Sequence, residues 1–90
     1  MPIRLTDERW VHITEEHAEL AGYRMDVLEG IADPARVLAG NEGELLATRI
    51  RPDGKILVVV YRELLEDGFV ITAFITRRAL SLNRRTQIWP

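Results

Sequence analysis

The chain has 90 residues, 47% hydrophobic and 29% charged, a composition typical of one soluble globular domain spanning residues 1–90. It contains no cysteine, which excludes disulfide bonds and thiolate chemistry, and two histidines alone make a poor zinc site, so we expect no metal and no cofactor. The longest apolar run, Ile56–Tyr61, is too short to span a bilayer. Near the N-terminus, charged residues interrupt the apolar region that a signal peptide needs: Arg4, Asp7, Glu8 and Arg9. We therefore expect a cytoplasmic protein.

The first third of the sequence predicts two helices. Thr6 is a plausible N-cap, and Trp10, Ile13, His17 and Leu20 recur at the spacing of one helical face before Gly22 ends or bends the helix. A second helix is expected from about residue 23 to residue 32, before an Asp-Pro pair that disfavours helical angles. Its expected inward residues are Met25, Leu28 and Ile31.

The rest of the chain predicts an antiparallel sheet. Three segments read as strands: Leu45–Arg51, Lys55–Arg62 and Phe69–Thr76. A Pro-Asp-Gly sequence predicts a turn between the first two. Residues 36–39 fit either a short strand or a turn, residues 77–83 fit a short helix, and residues 87–89 fit an edge strand. The expected class is therefore α+β: two N-terminal helices packed on a three- to four-stranded antiparallel β-meander, with a short C-terminal helix or strand.

Alternation along the strands predicts one open face of this sheet. In the last long strand, Phe69, Ile71, Ala73 and Ile75 share an apolar face expected to meet the helices. Thr72 and Thr76 point to the other face, and if the strand register brings Arg49 and Arg51 there, the sheet bears a phosphate-binding surface. Tyr61 or Arg62 would join it from the middle strand. The alternative is an ordinary solvated sheet face.

The two histidines differ in their expected surroundings. His17 lies on the apolar stripe of the first helix, where it is either a core residue or, at the rim of the sheet, a general acid or base. His12 points away from that stripe and has glutamates one turn on either side.

Charge is divided unevenly along the chain. Residues 1–46 carry four arginines against ten acidic residues, whereas residues 47–90 carry eight basic residues against four acidic ones. Arginine suits bidentate phosphate contacts, but it also protects strand edges from aggregation. The cluster of Arg77 and Arg78, followed by Arg84 and Arg85, can contact an RNA backbone or dock an acidic partner.

The order of these motifs resembles a known nuclease superfamily. The resemblance rests on Trp10-x-His12-Ile13-x-x-x-His17-x-x-Leu20, the Asp33-Pro34 helix end, the loop through Gly43, the strand at 56–62 and the segment Phe69-Val70-Ile71-Thr72-Ala73-Phe74-Ile75-Thr76-Arg77. Nearly the whole chain resembles the small phage- and toxin-associated members of the Barnase–EndoU–colicin–RelE superfamily, including BrnT-like toxins.

The resemblance implies a metal-independent ribonuclease of the toxin–antitoxin kind, in which the RNA 2′-hydroxyl attacks the adjacent phosphate. It implies catalytic roles for the helix-one histidines His12 and His17, with His17 the preferred acid/base, for Arg49 or Arg51 as the phosphate-binding arginine, and for Thr72 and Thr76. The residues implied in RNA binding are Lys55, Tyr61, Arg62, Arg77 and Arg78. Expected partners are RNA and a cognate antitoxin protein, with a homodimer left open and no membrane partner. The alternative function is a non-catalytic interaction module of the same fold.

Overall fold

The computed structural model describes residues 2–90 and confirms the α+β class. In chain order the strands and helices are β1 (Ile3–Arg4), α1 (Asp7–Glu16), α2 (Arg24–Ala32), β2 (Arg36–Ala39), β3 (Leu45–Ile50), β4 (Ile56–Glu63), β5 (Gly68–Thr76), α3 (Ala79–Asn83) and β6 (Gln87–Trp89). A short 3₁₀ turn, Ala18–Leu20, lies between α1 and α2.

The six strands form one sheet in the order β1-β5-β4-β3-β2-β6. β1 runs parallel to β5, and every other neighbouring pair is antiparallel. The sheet is therefore mixed and larger than the predicted three or four strands. Residues 36–39 and 87–89, for which a strand was one of the expected forms, are both strands, β2 and β6. The unexpected strand is β1, whose two residues are too few to show strand alternation in a sequence.

The α1 helix begins at the predicted cap. The Thr6 hydroxyl accepts a hydrogen bond from the Arg9 N–H at 3.1 Å, and Asp7 and Glu8 fill the first turn, where the helix dipole favours acids. The helix ends earlier than the apolar stripe predicts, because His17 leaves helical angles with φ −130° and ψ 73°. His17 therefore occupies a corner between α1 and the 3₁₀ turn.

The buried face of α2 differs from the prediction. Ile31 packs against the core as predicted, but the buried residues are Val27 and Gly30. Met25 is 67% exposed, so its predicted inward position was wrong. A Cβ on Gly30 would lie 3.3 Å from Cγ2 of Val59, so the helix backbone approaches the sheet closely at this glycine. Packing on β4 thus sets the rotation of α2 about its axis. The two residues that this rotation turns towards the sheet, one helical turn apart, are Val27 and Gly30.

Side chains of the sheet pack on both faces. We call the face under α1 and α2 the helix side and the face under α3 the α3 side. The helix-side core includes Ile13, Leu20, Val27, Val37, Ala47, Leu57, Val59, Tyr61, Val70 and Ala73. The smaller α3-side core consists of Leu38, Leu46, Val58 and Leu82, with Ile56, Val60 and Phe74 packed against it. Two covered faces explain the continuous apolar run of β4.

A bulge changes which β5 residues share a face. Tyr61 lies opposite Val70 and Val60 opposite Thr72, so Ile71 has no partner in β4. As a result Val70 and Ala73 both belong to the helix-side core. The prediction of one regular apolar face over residues 69–75 was wrong, because the extra residue reverses the alternation.

The C-terminal segment crosses the sheet. β5 lies near one edge and β6 forms the opposite edge beside β2, so the intervening α3 covers the α3 side. The predicted Pro-Asp-Gly turn between β3 and β4 is also present, with Gly54 at φ 83°. Over residues 2–90, every helix is too short or too polar to cross a membrane.

Candidate functional site

A cleft of about 380 Å³ lies between the corner at His17, the end of β5 and α3. Its apolar floor includes Leu46, Phe74 and Leu82, which belong to or pack on the α3-side core. Its polar rim is formed by His17, Glu19, Thr76, Arg78, Ser81 and Arg85. Two segments distant in sequence, the end of α1 and the chain around α3, therefore meet in one site.

His17 is half-buried on the wall of this cleft. Its ring centroid lies 6.2 Å from that of Phe74, and its Nδ1 lies 3.5 Å from Oε1 of Glu19. The Glu19 carboxylate can orient the imidazole by accepting a hydrogen bond from Nδ1–H, which leaves Nε2 for a ligand. A histidine with a carboxylate near one ring nitrogen and its ring on the wall of a cleft suits proton transfer.

The end of β5 positions Arg78. The Thr76 hydroxyl oxygen accepts a hydrogen bond from the backbone N–H of Arg78 at 3.0 Å, a local bond that fixes the chain as it leaves the strand. Thr76 itself lies opposite Ile56, on the α3 side of the sheet. The Arg78 side chain is exposed at the cleft rim and forms no ion pair or side-chain hydrogen bond within residues 2–90.

Arg85, which also lines the cleft, is held by two side-chain hydrogen bonds. Its Nη1 donates to the Ala39 carbonyl at 3.2 Å and to Oδ1 of Asn41 at 2.9 Å. Neither acceptor is charged, so the guanidinium keeps its positive charge uncompensated by a direct carboxylate contact. One arginine whose side chain has hydrogen-bond partners and one whose side chain has none among residues 2–90, in a cleft that also contains an imidazole and hydroxyls, form a suitable environment for a phosphate group.

Arg49 and Arg51 lie on the other side of the sheet. Arg49 lies opposite Leu57, which in turn lies opposite Ile75, whereas Thr72 and Thr76 belong to the α3 side. The strand register therefore does not form the predicted surface combining these arginines and threonines. Instead Arg49 and Arg51 line a separate cleft of about 320 Å³ against α2.

Both of these arginines make contacts within the fold. Nη1 of Arg49 donates to the carbonyls of Glu29 and Asp33 at 3.5 and 3.3 Å, at the end of α2. The guanidinium of Arg51 lies 5.0 Å from the ring centroid of Tyr23, a cation–π contact, and its Nε lies 3.7 Å from Oδ1 of Asp53. These contacts join α2 and the β3–β4 turn to the sheet.

His12 is remote from the cleft. It is exposed on α1, and its Nε2 lies 2.7 Å from Oε1 of Glu16 one turn further along the helix. The shallow depression beside it is lined by Thr6, Glu8 and Arg9, none of which lines the cleft at His17. The structure thus separates the two histidines that the sequence pattern grouped.

The remaining predicted site residues are dispersed. Tyr61 is only 7% exposed, and burial, with a smaller contribution from Glu63, raises the pKa of its phenol. Little of its ring is available to stack on a base. Thr72 lies on the α3 side with a buried hydroxyl oxygen that has no hydrogen-bond partner among the described residues.

The other three predicted RNA-binding residues lie at different places on the surface. Nη2 of Arg62 donates to the Glu42 carbonyl at 3.1 Å. Lys55 lies in the β3–β4 turn, where its backbone N–H donates to Oδ1 of Asp53 at 3.0 Å. Arg77 is exposed next to Arg78.

Three polar residues of the cleft, Glu19, Ser81 and Arg85, were not among the predicted site residues. Arg85 was noted only as part of the basic cluster, Glu19 follows His17 by two positions, and Ser81 carries no signal in the sequence. Ser81 and Arg85 reach the site because α3 crosses the sheet, and Glu19 reaches it because the chain turns at His17. Periodicity within one segment contains neither feature. In the described part of the chain, no group of three or more His, Asp or Glu side chains is placed to hold a metal ion.

Comparisons with protein-family models, with curated proteins and with solved structures found no match.

Proposed function

We propose that this protein is a metal-independent ribonuclease of the toxin–antitoxin kind, with a fold arranged as in the Barnase–EndoU–colicin–RelE superfamily. The observation that carries the proposal is the cleft that brings His17, Thr76, Arg78 and Arg85 together. An imidazole for proton transfer and two arginines for a phosphate are the groups that RNA cleavage by the 2′-hydroxyl requires.

In the proposed reaction the 2′-oxygen forms a bond to the adjacent phosphorus and the bond from phosphorus to the 5′-oxygen breaks. The 2′-hydroxyl gives its proton to a base and the leaving 5′-oxygen receives one from an acid. His17 exchanges protons at Nε2, taking the proton of the 2′-hydroxyl and giving it to the leaving 5′-oxygen, and the Glu19 carboxylate at Nδ1 orients the ring. Arg78 and Arg85 stabilise the negative charge of the five-coordinate phosphate.

RNA cleavage by the purified protein tests this function. We expect the wild-type chain to cleave a single-stranded RNA in the presence of a chelator. His17→Ala should lower the rate about 100- to 10,000-fold, the usual contribution of a general acid or base. The matched control is His12→Ala, which removes the exposed histidine of the same helix and is expected to retain activity.

Thermal unfolding of both variants should show that each is folded before rates are compared. Intact RNA with the folded wild-type protein, or equal rates for the two histidine variants, would contradict the proposal.

The proposal also includes the cytoplasm as the place of action and a neutralising antitoxin as protein partner. Accordingly, expression of the wild-type chain alone should slow growth, and expression of His17→Ala should not.

A non-catalytic interaction module is the second candidate function. It is favoured by the outer strand β6, where Ile88 and Trp89 are 55% and 49% exposed at the sheet edge. Such an edge can pair with another chain, including a second copy of this one. Under this alternative, Ile88→Ser should abolish binding of the protein partner, whereas His17→Ala should leave that binding unchanged.

A further inference from the structure

Three arginines near α3 differ from every other arginine of the chain. Arg77, Arg78 and Arg84 form no ion pair and no side-chain hydrogen bond among residues 2–90. Each of the other arginines either lies within 4 Å of a carboxylate or donates a hydrogen bond to a carbonyl or side-chain oxygen. The chain carries 14 acidic residues, yet among residues 2–90 none forms an ion pair with these three arginines.

The same three arginines surround an exposed leucine. Leu80 is 76% exposed on α3, and it lines a shallow cavity of about 390 Å³ together with Arg77, Arg78 and Arg84. We call these four residues the α3 patch. Leu80 is not needed to hold α3 in place, because Leu82 is the α3 residue buried in the α3-side core.

We propose that the α3 patch docks an acidic segment of a partner protein that carries an apolar side chain between its carboxylates. Unpaired arginines complement carboxylates, and desolvation of an exposed leucine requires an apolar group opposite it. RNA satisfies the first requirement through its phosphates, but its bases pack best on aromatic rings and guanidinium planes, and a leucine offers neither. The patch therefore fits a protein segment better than a nucleic acid.

The patch adjoins the cleft at His17. Arg78 of the patch also lines the cleft, and Ser81 lines both the cleft and the shallow cavity of the patch, so a segment bound on the patch reaches the cleft rim. If the cleft cleaves RNA as proposed above, the docked segment competes for Arg78 and lowers the cleavage rate. This consequence rests on the proposed function, whereas the docking itself does not.

Binding of a synthetic peptide tests the docking. The probe is a fluorescently labelled peptide with one leucine flanked by glutamates, and the control peptide has serine in place of that leucine. We expect anisotropy titrations to show tighter binding of the leucine peptide. Leu80→Ser should weaken its binding about tenfold, as expected for loss of a buried leucine contact.

A matched variant, Leu65→Ser, controls for removal of an exposed leucine, because Leu65 is 95% exposed in the β4–β5 loop. It should leave peptide binding unchanged, and Arg84→Gln should weaken binding and reduce its dependence on salt. Equal affinity for the two peptides, no binding of either, or equal effects of Leu65→Ser and Leu80→Ser would overturn the proposal.

A labelled oligouridine RNA separates this proposal from the ribonuclease one. Leu80→Ser should leave RNA cleavage and RNA affinity at wild-type values, because Leu80 does not line the cleft. If Leu80→Ser weakens the binding of oligouridine as much as it weakens the binding of the peptide, the patch is an RNA surface and the docking proposal fails. Absence of cleavage with normal peptide binding would instead refute the ribonuclease function alone.

Discussion

The guanidinium of Arg49 lies at the C-terminal end of α2, where backbone carbonyls lack partners within the helix. It donates to the carbonyls of Glu29 and Asp33 and lies 3.9 Å from Oδ2 of Asp33. A cation at this end of a helix satisfies those carbonyls and interacts favourably with the helix dipole. A strand arginine that looks available for phosphate in the sequence is thus explained by its contacts with a helix.

Asp53, in the β3–β4 turn, gives the folded protein a pH dependence. Its carboxylate accepts the backbone N–H of Lys55, which lowers its pKa below the ordinary value, with Arg51 and Lys55 adding attraction. Because the folded-state pKa is lower than the unfolded one, the stabilisation is present above the ordinary aspartate pKa. It is lost as the pH falls through the lowered value.

We therefore expect Asp53→Asn to make the free energy of unfolding less dependent on pH in the acid range than it is in the wild type. Urea unfolding at a series of pH values from neutral to about 3 measures this, a range that spans ordinary carboxyl pKa values. Glu15→Gln separates the effect from simple loss of one negative charge, since Glu15 makes no ion pair within the described residues. The same pH dependence in wild type and Asp53→Asn would refute the assignment.

At the scale of elements, α3 is a helix of five residues held by one buried side chain. Leu82 is 5% exposed and packs with Leu38, Leu46 and Val58. Helices this short are not stable in isolation, so the order of α3 comes from this packing. Because α3 contributes Ser81 to the cleft rim, the position of the cleft depends on the same contact.

Leu82→Ala should lower the free energy of unfolding by about 2–5 kcal/mol, the range observed when a buried leucine is truncated. Urea denaturation monitored by tryptophan fluorescence gives the value. Leu80→Ala, on the same helix but 76% exposed, should change stability by no more than about 0.5 kcal/mol. Similar losses for the two variants would show that α3 is not anchored through Leu82.

Local sequence signals predicted many of the elements. The cap at Thr6, the turn at Gly54 and the β-branched run of β4 are short-range features, and each is present. The rotation of α2 and the bulge at Ile71 depend instead on contacts with β4, which alternation within one segment does not contain. The candidate site divides in the same way, because His17, Thr76 and Arg78 were among the predicted site residues, whereas Ser81 and Arg85 reach the cleft only through the path of α3.

Across the whole molecule, the cleft combines the two differently charged halves of the chain. His17 and Glu19 come from the half with ten acidic residues and four arginines, and Arg78 and Arg85 from the half with eight basic residues. The net charge of −2 therefore conceals a local positive rim. Attraction to a polyanion is expected to depend on that rim and to weaken with salt.

Arg85→Gln should make RNA binding less sensitive to salt. Loss of one phosphate contact reduces the slope of log affinity against log salt concentration by about 0.7 for a single strand. Anisotropy of a labelled RNA, measured in the His17→Ala background to prevent cleavage, provides the slope. Arg24→Gln is the control, because Arg24 is paired with Asp7 at 2.7 Å and does not line the cleft. Equal slopes for the two variants would argue against an RNA contact by Arg85.

The two outer strands of the sheet come from opposite ends of the described chain, and this placement has a consequence for the order of assembly. β3, β4 and β5 are joined by short loops, so their pairing closes little chain and costs little entropy. β1 pairs with β5, and β6 with β2, only after the long intervening segments have been brought together. We therefore expect the outer strands to add to a sheet that already exists, so that folding proceeds from the centre of the sheet towards its edges.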